Sequence, residues 1–204
     1  MNSGRNNNWE KYYKSVSNKK PRELLVRVLN YYANDDMPDT PRYAIDLGSG
    51  NGPDTIALLK KGWRVLAIDG DEGALEIVKR SASNKVRSNL EVLCSKFEEV
   101  TLPQADLINA SYSLPFCSPN YFPRLWGEIE NSLKIGARFC GVLFGVNDTW
   151  ATRGDMTFHT KPQITEMLSR FDVEHFEEYD GEGTTATGES KHWHTYSIIG
   201  KRVR

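Results

Sequence analysis

Three glycines at alternate positions mark the stretch of this chain with the most evident chemistry. Gly48, Gly50 and Gly52 follow an apolar segment that contains Asp46. This spacing predicts a turn whose bare backbone leads into a helix, so that amide groups can bind a ligand. Asp46 makes the turn a poor phosphate site because its negative charge would repel an anion. A ligand that carries an ammonium group or another cation suits the carboxylate better.

A dinucleotide-binding loop is the first alternative, since such loops also combine glycines with a helix start. Their glycines follow the spacing G-x-G-x-x-G. Gly48 and Gly50 fit the first two places, but the third falls on Pro53. The spacing therefore disfavours a nicotinamide-dependent reductase, which stays an alternative because such enzymes use a similar sheet.

The segment from Ala44 to Gly52 resembles motif I of the class I S-adenosylmethionine-dependent methyltransferases. That motif is hydrophobic, hydrophobic, acidic, hydrophobic, Gly-x-Gly-x-Gly, and every position is met. The resemblance implies a methyltransferase (EC 2.1.1.-) with S-adenosyl-L-methionine as cofactor. The segment from Glu189 to His194 also looks like the bacterial small-molecule branch that includes tellurite-resistance methyltransferases. The cofactor-binding residues expected in the loop are Asp46, Gly48, Ser49, Gly50, Asn51 and Gly52.

A second acidic residue, Asp69, ends the next apolar stretch, Arg64 to Ile68. Strand, loop, helix and strand form a right-handed crossover, which brings the carboxyl ends of both strands to one edge of a sheet. There a carboxylate can accept hydrogen bonds from both hydroxyls of a ribose. We predict that Asp69 binds the ribose with Gly70 beside it, and that Asp71 caps the following helix.

The resemblance also assigns residues after the third and fourth predicted strands. It places the adenine near Ser95, Lys96 and Phe97, although the family often has an aspartate where Ser95 stands. It implies that a backbone carbonyl near the end of the fourth strand holds the ammonium group of the cofactor. The further cofactor candidates are Asn109, Ala110 and Ser111, and the candidates on the substrate side are Tyr112 and Phe116.

The long connection from Gly145 to Asp155 follows the fifth predicted strand and is expected to line the substrate pocket. Trp150 and Arg153 are its substrate candidates, and Arg153 or Lys191 could attract an anionic acceptor. Methyl transfer from a sulfonium is an in-line displacement, which needs a general base only when the acceptor must lose a proton. The candidate catalytic residues are His159 first and Tyr112 second. His192 and His194 share a strand face but lack a third ligand, so we expect no metal.

The N-terminal part carries a cluster of aromatic residues that includes Trp9 and Tyr13. These rings either dock the segment onto the domain or close over the cofactor, and the two readings stay equal. An amphipathic helix is predicted over residues 21–33. We expect one methyltransferase domain over residues 1–204, with a helical extension or lid at 1–40 and a cofactor-binding core at 41–204.

The order of the elements positions these residues. The resemblance implies a doubly wound, seven-stranded Rossmann-like α/β sheet in the order 3-2-1-4-5-7-6, with the last strand antiparallel. The predicted strands are 43–47, 64–68, 90–94, 106–110, 139–144, 171–179 and 193–199, and the later helices are 53–60, 73–81, 120–133 and 162–170. Gly136 is expected to end the turn after the helix 120–133.

Composition limits the possible partners. The 204 residues carry a formal net charge of −1, which gives no electrostatic reason to expect nucleic acid as partner. Three cysteines without a C-x-x-C pair, no apolar signal segment and no membrane-length apolar run lead us to expect a cytoplasmic protein. The composition is compatible with the small-molecule substrate that the family resemblance implies, and the oligomeric state stays open. A non-catalytic, cofactor-binding regulatory protein is the second alternative.

Overall fold

The structure is a computed structural model that describes residues 20–33, 35 and 40–204. Trp9 and Tyr13 lie outside the described residues, so their contact with a cofactor and the lid stay predictions. The helices are α1 (Glu23–Ala33), α2 (Pro53–Lys60), α3 (Glu72–Ser81), α4 (Phe122–Ser132) and α5 (Lys161–Met167). The strands are β1 (Tyr43–Leu47), β2 (Arg64–Asp69), β3 (Leu90–Cys94), β4 (Ala105–Ala110), β5 (Leu133–Phe144), β6 (Phe171–Thr184) and β7 (Ser190–Arg202).

The seven strands form a sheet in the order β3-β2-β1-β4-β5-β7-β6, which confirms the predicted topology. β1 pairs in parallel with β2 and β4, and β7 is antiparallel to both β5 and β6. In register, Asp46 of β1 lies opposite Ala67 of β2 and Asn109 of β4. The carboxyl ends of the three central strands therefore lie side by side, where a doubly wound sheet binds its ligand.

Both faces of the sheet are covered, as the apolar runs of the central strands predict. Ile45 and Leu47 pack with α4 in one core, whereas Ala44 packs with α1 and α2 in the other. Tyr32 fastens α1 to the sheet, because its hydroxyl donates to the carbonyl of Asp106 and accepts from the amide of Arg138. None of the described helices is long and apolar enough to cross a membrane.

The late strands are much longer than predicted. β5 already begins at Leu133 and passes through Gly136, which was wrongly expected to end the helical turn and has a φ of 85° within the strand. β6 and β7 continue beyond the edge of β5, and residues 180–184 pair with residues 190–194 alone. We call residues 180–194 the hairpin arm. Its glycines and acidic residues have low strand propensity, and strand pairing overrides that preference.

Candidate functional site

The carboxyl ends of β1, β2 and β4 open onto a cavity of about 1970 Å³. The glycine loop and Asp69 line one end of the cavity, and aromatic side chains line the other. The hairpin arm contributes a further part of the wall, including Thr184 and Trp193. The two ends differ in chemistry, and each is built from different elements.

The glycine loop needs its glycines for two physical reasons. Gly48, Gly50 and Gly52 all have positive φ angles, of 80°, 54° and 84°, which side chains disfavour. A Cβ atom at Gly48 would also lie 2.2 Å from the Cβ of Ser113. The amides of Gly48 and Ser49 both donate to the carbonyl of Ile68, at 2.8 and 2.9 Å, which fixes the loop against β2.

Asp69 is held at the end of β2 by two backbone amides. One carboxylate oxygen accepts from the amide of Gly50 at 2.8 Å, and the other accepts from the amide of Asp71 at 2.9 Å. Asp71 caps α3, as predicted, and its side chain accepts from the amide of Ala74. Each carboxylate oxygen can accept a second hydrogen bond, and Asp69 lines the cavity. Asp69 can therefore also accept hydrogen bonds from the hydroxyl groups of a ligand.

A second carboxylate group lies deeper, beneath the glycine loop. Asp46 is 2% exposed and accepts hydrogen bonds from the hydroxyl of Thr55 at 2.6 Å and from the amide of Asn109 at 2.9 Å. The same Asn109 amide donates to Asp54 at 3.1 Å, and Asp54 also accepts from the backbone amide of Arg22 at 2.8 Å. We call Asp46, Asp54 and Asn109 the carboxylate pair with its bridging amide.

This pair carries more negative charge than the described protein compensates. Burial, and secondly the charge of Asp54, raises the pKa of Asp46 to about 7. Among the described residues, no lysine or arginine forms an ion pair with Asp46 or Asp54. A cationic ligand group would favour the ionised form, so this end of the cavity suits an ammonium or sulfonium.

The loop also contains a buried hydroxyl without a partner. The Oγ atom of Ser49 is inaccessible to solvent and makes no hydrogen bond within the described part of the chain. Buried polar groups are nearly always satisfied, and an exception at a cavity wall suggests that a ligand supplies the partner. Together with Asp46 and Asp69, Ser49 fits a ligand that carries hydroxyl and amino groups.

The predicted adenine residues follow β3 and line the cavity. The amide of Ser95 donates to the carbonyl of Asp69 at 3.0 Å, and its hydroxyl donates to the carbonyl of Lys96 at 3.2 Å. The hydroxyl of Ser95 is therefore used locally. Phe97 packs partly against the core and presents the apolar side chain of this wall.

The structure does not bring every predicted cofactor residue to the cavity wall. Asn109 and Ala110 are fully buried, and Gly52 packs against Val78. Asn109 acts on the site through the carboxylates that its amide holds, rather than by direct contact. Besides Asp69 and the residues after β3, the predicted residues that line the cavity are Asp46, Gly48, Ser49, Gly50, Asn51, Gly70 and Ser111.

The far end of the cavity is an aromatic wall, which we define as Tyr112, Phe116, Phe144, Trp150 and Trp193. Neighbouring rings lie 5.7 to 6.3 Å apart between centroids, and all six pairs are tilted or edge-on. Tyr112 has a φ of 57°, an uncommon and strained value for a residue with a side chain, and such residues cluster at functional sites. Phe144 and Trp193 were missed in the sequence, since only the pairing of β5 with β7 brings them together.

A buried ion pair supports the aromatic wall from its enclosed side. The ammonium of Lys191 binds the carboxylate of Asp148, and the two side chains are 2% and 0% exposed. The ammonium also lies 3.7 Å from the ring centroid of Trp193 and 4.3 Å from that of Trp150. Burial lowers the pKa of Lys191, and its bond to Asp148 acts in the opposite direction. Lys191 is thus a structural cation, and the expectation that it attracts an acceptor from solution is wrong.

The remaining acceptor candidates differ in position. Arg153 lines the cavity, is exposed, and pairs with Asp155 at 3.3 Å. His159 does not line the cavity; its ring packs against Phe122 at a centroid distance of 4.5 Å. Burial lowers the pKa of His159 to about 4, and its Nδ1 has no partner among the described residues. Its position therefore gives no support to a role as general base, and Tyr112 is the predicted catalytic candidate that the fold brings to the cavity.

The described part of the chain contains no group of three or more histidine, cysteine or acidic side chains that could bind a metal ion. His192 instead bonds to Asp180 at 2.6 Å and Glu182 at 2.8 Å on the hairpin arm. His194 bonds to Glu178 at 3.2 Å and accepts from the amide of Asn147.

Comparison with known proteins agrees with this geometry. Residues 44–136 match the family model described as a methyltransferase domain. The carboxy-S-adenosyl-L-methionine synthase of Helicobacter hepaticus is 29% identical over 151 residues, which are 72% of this chain and 58% of that enzyme. The chain thus spans less than two thirds of the length of this curated relative.

Two solved structures are similar in fold. TehB from Haemophilus influenzae superposes with a TM-score of 0.74 at 14% identity, covering 95% of this chain and 67% of that one. The 1,6-didemethyltoxoflavin-N1-methyltransferase of Burkholderia thailandensis gives 0.63 at 16% identity, covering 90% and 78%, and its structure holds 1,6-didemethyltoxoflavin and S-adenosylhomocysteine. Residues 44–136 are therefore similar to a methyltransferase domain, and the chain has the fold of the class I S-adenosylmethionine-dependent methyltransferases.

Proposed function

We propose that this protein transfers a methyl group from S-adenosyl-L-methionine to a small-molecule acceptor by direct in-line displacement. The observation that carries the proposal is a cavity with carboxylates and a glycine turn at one end and an aromatic wall at the other. The first end suits the nucleoside and amino-acid parts of the cofactor. The second end offers an apolar place for an acceptor.

Each end has its own residues in this proposal. Asp69 accepts the ribose hydroxyls, the glycine loop contacts the cofactor through its backbone, and Ser95 to Phe97 flank the adenine. The carboxylate pair favours the ammonium group in the amino-acid part of the cofactor. The side-chain amide of Asn109 holds both carboxylates in place by hydrogen bonds. Bound S-adenosylmethionine supplies the methyl group on a sulfonium.

The chain contributes alignment and exclusion of water rather than a covalent intermediate. Tyr112 and the other rings of the aromatic wall orient the acceptor and keep the reacting region apolar. Arg153, at the exposed rim, is the proposed contact for a polar group of the acceptor. We also propose a cytoplasmic location, in which the free thiols of Cys94, Cys117 and Cys140 stay reduced.

Calorimetry with S-adenosylhomocysteine tests the cofactor assignment. We expect the wild type to bind, and Asp69→Ala to weaken binding by about tenfold or more, since two charge-assisted hydrogen bonds are lost. Asp172→Ala removes an exposed carboxylate far from the cavity and should bind normally. No binding by the wild type, or equal binding by Asp69→Ala, would overturn the proposal.

Two further measurements separate the alternatives. A rise in NADH fluorescence on mixing would favour the nicotinamide-dependent reductase, which the Pro53 position disfavours. Methylated product from a panel of thiols, amines, selenite and tellurite would rule out the non-catalytic, cofactor-binding reading. Binding of S-adenosylhomocysteine without any product from the panel would favour that reading.

A further inference from the structure

The aromatic wall offers an acceptor more ring surface than any other kind of contact. Tyr112, Phe116, Trp150 and Trp193 are half-buried, so the protein leaves part of each ring uncovered at the cavity. Phe144 closes the wall behind them, with its centroid 5.7 Å from that of Trp193 and 6.3 Å from that of Tyr112. Aromatic rings prefer offset or edge-to-face partners at such separations. A flat ring is therefore the ligand shape that this surface favours.

Two cations of the chain already lie against rings of the aromatic wall. The guanidinium of Arg22 lies 4.8 Å from the ring centroid of Tyr112, and the ammonium of Lys191 lies against Trp193 and Trp150. Lys191 is buried whereas both indoles are half-exposed, so the cation occupies the enclosed side of the wall. Cations of the chain thus already occupy cation–π positions on three of these rings, which leaves less ring surface for a cationic acceptor than for a neutral aromatic one.

The side chains near the wall also limit how the acceptor becomes nucleophilic. None of the four histidines lines the cavity, although the structure describes all of them. His159 packs against Phe122, and His192 and His194 are engaged with acidic side chains of β6. The aromatic wall itself contains no histidine, aspartate or glutamate, and the carboxylates that line the cavity belong to other parts of its lining. We therefore expect an acceptor that arrives with an available lone pair.

We propose that the acceptor is a planar aromatic nucleophile that needs no protein base, namely an aromatic thiolate or a pyridine-type ring nitrogen. This inference rests on the proposed function and names the substrate class of the same site. In the thiolate case, a sulfur lone pair forms the new carbon–sulfur bond while the carbon–sulfur bond of the sulfonium breaks. The bonding electrons stay on the departing sulfur, so the products are an aryl methyl sulfide and S-adenosylhomocysteine. No proton is transferred in the step.

The same surface is poorly suited to a small oxyanion. Such an anion would need several hydrogen-bond donors around it, whereas the wall presents ring faces, Arg22 lies over the ring of Tyr112, and Arg153 at the rim is paired with Asp155. Tellurite is therefore expected to be a poor acceptor, despite the likeness of the C-terminal segment to tellurite-resistance methyltransferases.

The test measures methyl transfer by the full chain to four probes: thiophenol, quinoline, 2-mercaptoethanol and tellurite. We expect at least one aromatic probe to be methylated with a kcat/KM about tenfold or more above that of both non-aromatic probes. Phe116→Leu and Trp150→Leu should raise KM for the aromatic probe about tenfold, and Trp150→Phe should restore most of it. Tyr31→Leu, a half-buried aromatic outside the cavity, is the matched control and should behave as wild type.

Calorimetry with S-adenosylhomocysteine on every variant keeps the two proposals separate. Loss of binding in the wild type would overturn the proposed function itself. Normal binding without transfer to either aromatic probe, or with tellurite or 2-mercaptoethanol preferred, would overturn the aromatic acceptor alone. Unchanged KM in both Phe116→Leu and Trp150→Leu, with normal cofactor binding, would also overturn it, because the wall would then not contact the acceptor.

Discussion

Both ends of the cavity contain buried charged groups, but the charge is neutralised by an ion pair at one end and not at the other. At the aromatic end, Lys191 and Asp148 neutralise each other, and Asp148 also accepts from the amides of Trp150 and His194. At the glycine-loop end, Asp46 and Asp54 share one amide, and no described cation pairs with them. A buried charge that is paired with an opposite charge has a structural role, whereas an unpaired buried carboxylate can bind a cationic ligand.

The largest expected effect comes from breaking the compensated pair. Lys191→Met should destabilise the protein by about 3–5 kcal/mol, because it leaves the charge of Asp148 buried and without its cation. Urea unfolding measures the change in the free energy of unfolding. Lys161→Met is the control, since Lys161 also pairs with an acid and lies near a ring but is exposed; it should change stability by about 1 kcal/mol or less. Equal effects of the two substitutions would contradict the structural role of Lys191.

A smaller loss of stability is expected from a substitution in the glycine loop, which lies at the end of the cavity with the unpaired carboxylates. Gly48→Ala forces a side chain into a positive φ and against Ser113, which should destabilise the protein by roughly 2–3 kcal/mol and weaken S-adenosylhomocysteine binding. Gly154→Ala meets open space and should be nearly neutral. Thermal unfolding and calorimetry distinguish them. Full stability and binding in Gly48→Ala would show that the loop tolerates side chains.

The uncompensated carboxylates should also make stability depend on pH. The folded-state pKa of Asp46 is raised to about 7 by burial, so the folded state holds a proton that the unfolded state releases from about pH 4 upwards. Stability should therefore fall as the pH rises from about 4 to 7. Asp46→Asn should remove roughly 1–3 kcal/mol of that decrease. Parallel urea titrations at several pH values measure it, and identical slopes in wild type and variant would refute the assignment.

The smallest effect concerns the unpartnered hydroxyl at the same end. Ser49→Ala should change the stability of the free protein by only about 0.5 kcal/mol, since no hydrogen bond is lost, but should weaken S-adenosylhomocysteine binding a few-fold. Ser113→Ala is the control, because its hydroxyl donates to the carbonyl of Leu47 at 2.5 Å. That control should lose about 1 kcal/mol of stability. A larger stability loss in Ser49→Ala than in Ser113→Ala would mean that Ser49 has a structural partner.

The glycine-loop end of the cavity could be predicted from the sequence because most of its elements are adjacent in the chain. An apolar run, a glycine loop and a helix follow each other within one crossover, and the crossover itself brings Asp69 to the loop. The bounds of β1 and β3 agree with the predicted ones for the same reason. Asn109 was assigned to the cofactor, yet its link to two carboxylates depends on the pairing of β1 with β4.

The compensated end could not be predicted, because its residues are far apart in the sequence. Lys191 reads as a surface residue between polar neighbours, and only the packing of the connection after β5 against β7 buries it beside Asp148. His159 stood out as a lone histidine after a long loop, but packing turned its ring towards Phe122. The length of β6 and β7 was likewise underestimated, since pairing within the hairpin arm outweighs the weak strand propensity of its residues.

By itself, the sequence determined the glycine turn and the acidic residues at two strand ends, and its family resemblance implied the order of the sheet. The turn and the acidic residues depend on backbone geometry and on spacing within a single crossover, which a linear pattern records. Tertiary structure alone decided which side chains line the cavity and which charges are compensated. Those outcomes depend on contacts between residues of β4, β5 and β7, which are far apart in the sequence and become neighbours only in the folded sheet.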